Sequence, residues 1–300
     1  MKGVTDDLKQ RRASSFGAVA SAYAEHRPDY PEEAIRWALS PVTAGASGAD
    51  GSGRDASGAD GSGADSSGAD RSGADGSGAE AGGLAGLRVL DLGAGTGKLT
   101  AQLAALGTAV TAVEPDSSML AELRRQLPSV PASGGSAESI PLPDGSVRAV
   151  LCGQSLHWFN LERALPEIAR VLAPGGVLAG LWNNDDNRVE WVAGLHEVAD
   201  GATSPTLTTR LLDTAQMRLG DRTPMFTREE TAEFPNGQRR TAESLVATIS
   251  THSKFLIMPP SEQERVAGRL REYLGSRPET SAAEFTLPMV TVVLRTIRKS

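Results

Sequence analysis

The chain has 300 residues, 30 Lys and Arg against 37 Asp and Glu, a formal net charge of −7 and a single cysteine. One cysteine excludes an internal disulfide, and no apolar run approaches the roughly 20 residues that span a bilayer. Arg11-Arg12 and Arg239-Arg240 are too short to make a basic stripe, so neither nucleic acid nor a membrane is an expected partner. Met1 to Asp7 lacks the apolar centre of a signal peptide, and cytoplasmic residence is expected.

The charge is unevenly spread. Residues 47–81 are seven consecutive pentads of the Ser-Gly-Ala-Asp type, with seven acids and two arginines between them. Most of the excess negative charge therefore sits in one segment. No pentad carries a side chain larger than alanine that could pack in a core, so burial cannot offset ordering entropy. The segment reads as a disordered spacer, and a calcium roll would need an apolar residue in each turn. Four regions follow: 1–44, a linker at 45–83, a core at 84–184, and 185–300. About 265 residues outside the spacer suffice for one α/β domain with a cap.

Past the spacer, strands and helices alternate. A buried strand is expected at 88–92, a helix at 97–106, a strand at 109–114 and a helix at 117–127 ending before Pro128. A weakly written strand falls at 130–133, then a strand at 147–152, a helix at 161–172 and a strand at 177–182. This alternation predicts a parallel sheet with helices on both faces. Helices are expected at 189–199, 206–219, 241–250 and 261–275, with a strand around 226–234. The last strand, 287–297, alternates weakly.

The most informative segment is Val89-Leu90-Asp91-Leu92-Gly93-Ala94-Gly95-Thr96-Gly97-Lys98. A buried strand runs into a loop with glycine at every second position, and a helix follows. Glycine here is read as allowing close approach of a bulky ligand that a Cβ would block. Glu114 ends the next apolar run, where a carboxylate can accept hydrogen bonds from both hydroxyls of an adenosine ribose. A nicotinamide fingerprint would put its third glycine at position 98, which is Lys98. A phosphate-binding loop would need glycine at 92 and Ser or Thr at 99, and both positions are leucine.

What remains, D-x-G-x-G-x-G, resembles motif I of the class I S-adenosylmethionine-dependent methyltransferases. Three further segments are similar to that family in the expected order: Gly135 to Asp144, Gly153 to Phe159, and Leu172 to Ala179. Phe16 to Tyr23 and Arg27 to Pro31 resemble its amino-terminal lid. The nearest resemblance is to the type-11 methyltransferase domain, in the branch that includes trans-aconitate methyltransferases. It implies a Rossmann-like, doubly wound, mostly parallel sheet of seven strands, with an antiparallel last strand at the sheet edge. It also implies a helical cap, within 185–300, that selects the substrate.

The resemblance implies S-adenosyl-L-methionine as cofactor. Asp91 would lie near the methionyl ammonium, with Gly93, Ala94, Gly95 and Gly97 forming the loop. Glu114 and Pro115 would serve the ribose. Met119, Ala137 and Glu138 would flank the adenine, Glu138 taking the acidic role because Ser136 stands where many members carry aspartate. Gln154 would complete the cofactor contacts. On the acceptor side stand Tyr23 and Arg27 of the lid, His157, Trp158, Trp182 and Asn183. His157 is the candidate general base, although it could equally pack beside Trp158, and in-line methyl transfer often needs no base. No histidine has companions at metal-ligand spacing, so no metal is expected. The resulting expectation is a methyltransferase acting on a small molecule through a carboxylate or hydroxyl. A cofactor-binding protein without transfer activity, or a nicotinamide-dependent oxidoreductase, are the alternatives. Nothing in the sequence sets the oligomeric state.

Overall fold

A computed structural model describes residues 28–43, 83–199, 219, 223–250, 255 and 257–300. Tyr23, Arg27, the pentad segment and the helix expected at 206–219, Leu219 apart, lie outside those residues. The described elements in chain order are α1 (Glu32–Thr43), β1 (Arg88–Leu92), α2 (Lys98–Ala105), β2 (Ala109–Glu114), α3 (Ser117–Gln126), β3 (Ala132–Gly134) and β4 (Val147–Gly153). They continue with α4 (Leu161–Val171), β5 (Leu172–Asp185), α5 (Glu190–Val198), β6 (Glu230–Arg240), α6 (Ala242–Ser250), α7 (Pro260–Ser276) and β7 (Phe285–Ile297).

The seven strands form one sheet in the order β3-β2-β1-β4-β5-β7-β6. Pairings among β1 to β5 are parallel, whereas β7 is antiparallel to both neighbours. The last strand is therefore antiparallel, as expected, but it lies one place in from the edge. β6 takes the edge instead, displaced from the expected 226–234. Pro235 and Gly237 lie within it, and the outer strand of a sheet is where such residues are tolerated. β5 runs well past the expected 177–182 and carries its pairing with β7 up to Asp185.

Period-two alternation sends successive strand residues to opposite faces. Leu90, Leu92, Val150, Cys152 and Leu178 meet Leu165 and Ile168 of α4 on one face. Val89, Val110, Ala149, Leu151 and Val177 meet Ile35 and Leu39 of α1 and Leu99 and Leu103 of α2 on the other. A third cluster joins α5, α6 and α7 to Phe285, Leu287 and Met289 at the far end of β7. These are the helices of the expected cap, and they gather beyond the carboxyl end of β5, where β7 runs past its pairing with Asp185. Among the described residues no helix is long and apolar enough to cross a membrane.

Arg295 of β7 fastens α1 to the sheet. Its guanidinium lies 3.8 Å from the centre of the Trp37 ring, donates to the Trp37 carbonyl and to Ser40 Oγ at 2.7 Å, and pairs with Glu230 at 2.7 Å. Arg295→Met leaves those acceptors without their charged donor. It should lower the free energy of unfolding by about 2 kcal/mol in urea titration. An unchanged midpoint would show that α1 docks without it.

Candidate functional site

The chain crosses over toward β2 and β3 on one side of β1, and toward β4 and β5 on the other. At such a switch point the two sets of loops diverge and leave a crevice at the strands' carboxyl ends. A cavity of about 440 Å³ opens there, within the ~300–1,000 Å³ usual for ligand pockets. Its floor is the turn between β1 and α2, and its walls are the ends of β2 and β4 and the loop before β4.

Asp91 is the last but one residue of β1 and is 1% exposed. Its Oδ2 accepts from Thr100 Oγ at 2.6 Å, while Oδ1 is buried without a hydrogen-bond partner. Burial pushes its pKa up to about 7, the Thr100 hydroxyl pulls it back, and the nearby Glu114 carboxylate adds to the rise. A buried carboxylate oxygen with no donor, on the wall of a cavity, has the chemistry to hold a ligand cation.

Glu114 ends β2 and does more than line the cavity. Its Oε2 accepts the Gly95 N–H at 2.8 Å and its Oε1 accepts the Asp116 N–H at 2.9 Å. Burial raises its pKa against the pull of these two backbone donors. One carboxylate thus ties the glycine loop to the turn that starts α3. Asp116 in turn caps α3, accepting from Ser118 N at 2.9 Å and Met119 N at 3.0 Å.

The glycines divide by role, which corrects the sequence-level reason for them. All three have positive φ: 72° at Gly93, 58° at Gly95 and 93° at Gly97. A Cβ on Gly93 would stand 2.6 Å from Ser155 Cβ, and one on Gly97 would stand 2.9 Å from Leu123 Cγ. These two are glycine because protein packs against them. Only on Gly95 would a Cβ meet little protein, with Met119 Sδ nearest at 3.9 Å. Gly97 is also absent from the cavity wall.

Asp91, Gly93, Ala94, Gly95, Glu114, Pro115, Met119, Ala137, Glu138 and Gln154 all line the one cavity. Glu138 has a second duty, since its Oε1 accepts the Asn160 N–H at 2.9 Å at the start of α4. Gln154 is the one non-glycine residue with positive φ (57°) among those described. Its Nε2 donates to the Asn183 carbonyl at 2.9 Å, which holds the strained turn after β4 in place.

The acceptor-side residues separate. Trp158, 42% exposed, and Asn183 line the cavity. Trp182 is 1% exposed, packs in the core and does not line it. His157 does not line it either, and its Nδ1 accepts the Trp182 indole N–H at 3.2 Å. The neutral ring in that pairing carries its proton on Nε2, which leaves no lone pair to act as a base. The structure therefore turns His157 from a base candidate into the partner of a buried tryptophan. The sequence reading missed several wall residues: Pro28, Tyr30, Thr96, Lys98, Ser155 and Phe159. Tyr30 leaves a readable trace at Gly153, where a Cβ would stand 2.8 Å from its hydroxyl.

A Rossmann-like sheet thus carries a glycine loop and two acids at its switch point, the place where open α/β sheets bind ligands. Residues 90–180 match the methyltransferase domain. An uncharacterized methyltransferase of Mycobacterium tuberculosis is 33% identical over 285 residues, covering 94% of both chains. A malonyl-[acyl-carrier protein] O-methyltransferase of Methylococcus capsulatus is 43% identical over 98 residues, 31% of this chain and 36% of that one. The solved structure of a putative type II methyltransferase from Anaeromyxobacter dehalogenans shares the fold (TM-score 0.53, 23% identity, 70% of this chain and 89% of that one). The chain belongs to the class I S-adenosylmethionine-dependent methyltransferases.

The two kinds of glycine make opposite predictions. Gly97→Ala should lower stability by about 1–3 kcal/mol through strain and overlap with Leu123, read as a fall in melting temperature. Gly95→Ala should cost only about 1 kcal/mol of stability and act mainly on ligand binding. Equal losses of stability in the two variants would contradict the division.

Proposed function

We propose that this chain holds S-adenosyl-L-methionine in the switch-point cavity and moves its methyl group to an oxygen of a small acidic molecule. The observation that carries the reading is the unpartnered Oδ1 of Asp91 on the wall of a cavity rich in carboxylates. Asp91, Glu114, Asp116 and Glu138 line it against a single cationic side chain, Lys98, among the described wall residues. Such a lining suits a ligand that carries an ammonium and a sulfonium.

The donor set fits the cofactor piece by piece. Asp91 would hold the ammonium. Glu114 keeps a second lone pair on each oxygen beyond its two backbone donors, enough for a pair of ribose hydroxyls. Met119 and Ala137 offer an apolar slot for the adenine beside Glu138. When bound, S-adenosylmethionine supplies a methyl carbon already made electrophilic by its positive sulfur. The protein's task is then alignment of the acceptor oxygen, carbon and sulfur in line. Trp158 and Asn183 bound the cavity where the acceptor would sit, and Trp158 would help to exclude water.

A carboxylate acceptor is favoured over a hydroxyl. A hydroxyl must lose a proton, and the Trp182–His157 pairing takes the one lone pair that His157 could offer. A carboxylate is ionised already and needs no base. The acid-methylating branch suggested by the sequence, that of trans-aconitate methyltransferases, agrees with this choice. So does the partial relative named as an O-methyltransferase of a malonyl carrier. No nucleic acid or membrane is needed as a partner.

Calorimetric titration with S-adenosylhomocysteine, run beside a dinucleotide, should give selective saturable binding. No binding to correctly folded protein would overturn the reading. The sign of the pH dependence follows from Asp91. Its ionised form attracts the ammonium, and its pKa near 7 in the ligand-free protein means that a proton must leave at lower pH. Affinity should be about tenfold weaker at pH 6 than at pH 8, and Asp91→Asn should flatten that profile. Glu114→Ala should weaken binding by at least about tenfold, since it removes both the ribose acceptor and the brace on Gly95.

A further inference from the structure

Residues 28–30 form a short strap across the cavity rim, tied at both ends. On the α2 side, Gln102 grips Tyr30 twice: the Tyr30 N–H donates to Oε1 at 2.9 Å, and Nε2 donates to the Tyr30 carbonyl at 2.7 Å. Lys98 Nζ lies 3.1 Å from Asp29 Oδ1 on the same side. On the opposite side the ties come from three strands. Asn183 of β5 points Nδ2 at the Pro28 and Asp29 carbonyls, each at 3.2 Å. Asn236 of β6 points Nδ2 at the Asp29 carbonyl at 2.9 Å, at Asn183 Oδ1 at 3.1 Å and at Thr291 Oγ at 3.2 Å. The buried Thr291 hydroxyl of β7 donates to Asn183 Oδ1.

The orientation of the Asn236 amide is fixed. Its Oδ1 accepts the Gly237 N–H at 2.8 Å, which turns the NH₂ toward the strap. The register explains how a residue of the edge strand reaches so far. Thr291 lies opposite Asn183, and Met289, two residues away on the same face, lies opposite Asn236. An irregular segment keeps one position only if its peptide groups are bonded. Here the bonds to the Pro28 and Asp29 carbonyls come from side chains of β5 and β6. Pro28 and Tyr30 are themselves walls of the cavity.

We propose that Asn236, which does not line the cavity, is a positioning residue. Through Asn183 and the Asp29 carbonyl it fixes the strap, and with it the Tyr30 wall and the space left for cofactor and acceptor. The functional half of this inference rests on the methyltransferase reading of the cavity, whereas the structural half does not.

The test uses the full chain. Hydrogen–deuterium exchange of the ligand-free protein reads the strap directly, in the peptide that contains Tyr30. Asn236→Ala should exchange there about fivefold faster than the parent. Asn236→Asp keeps the shape but loses the donor, and should behave the same way. Parental exchange in Asn236→Asp would mean that the residue only fills space, and would overturn the proposal. With S-adenosylhomocysteine the dissociation constant should rise about fivefold. In turnover with a carboxylic acid acceptor, KM should move more than kcat. If Asn236→Ala proves too unstable to measure, Asn236→Asp, which keeps the side chain's volume, carries the test by itself. Failure of the parent itself to bind S-adenosylhomocysteine would sink the cofactor reading, while the exchange data would still decide whether the clamp exists.

Discussion

The site depends on one buried carboxylate, that of Glu114. It receives an N–H from the glycine loop after β1 and another from the turn after β2. Two loops from adjacent strands would otherwise leave those amides without partners in a half-buried place, at a cost of about 1–3 kcal/mol each. The Val113 carbonyl joins in, accepting the Gly93 and Ala94 N–H groups at 2.8 and 3.2 Å. Together they set the curvature of the loop, and the loop's curvature decides where the cavity lies. The charge that completes this brace is the same charge that a ribose would meet.

Once the loop is fixed, its glycines have unequal jobs. Ser155, whose Oγ donates to the Leu92 carbonyl at 2.7 Å, presses on Gly93 from the β4 side. Leu123 presses on Gly97 from α3. Gly95 alone presents an open backbone to the cavity. The repeated glycine pattern is thus as much a packing signal as a binding one. Among the described wall residues, a charge balance of four acids to one lysine suits a cationic ligand better than a phosphorylated one. That agrees with the failure of the nicotinamide and phosphate-loop patterns at Lys98 and Leu92.

A second layer of order comes from outside the cavity. Arg170 donates to the Ile140 and Leu142 carbonyls at 2.9 and 2.8 Å, and Glu167 accepts the Ile140 N–H at 3.1 Å. At the other end of α4, Glu138 bonds the Asn160 N–H. The loop that carries Ala137 is therefore pinned to both ends of one helix. Gln102, Asn183 and Asn236 do the same for residues 28–30. These walls have no regular secondary structure, and side chains hold them in position.

The sequence by itself determined the parallel core. β1 and β2 match their expected bounds residue for residue, and α2, α3 and α4 fall within a residue or two. The reason is local: apolar runs, the Asp116 cap and the glycine loop are written in neighbouring residues. The same holds for the wall residues on that loop and at the end of β2, since each sits at the end of its own strand. Tertiary structure alone decided the rest. The strand expected around 226–234 stops short of Pro235, yet β6 continues through Pro235 and Gly237 because it lies at the edge, with β7 as its neighbour among the described strands. His157 reads as a base by residue type, and only the approach of Trp182, 25 residues on, takes up its Nδ1. Asn236 carries no local signal of a role, and only the pairing of β5, β7 and β6 brings it to Asp29, 207 residues away. Each of these depends on contacts between distant parts of the chain, which no local pattern encodes.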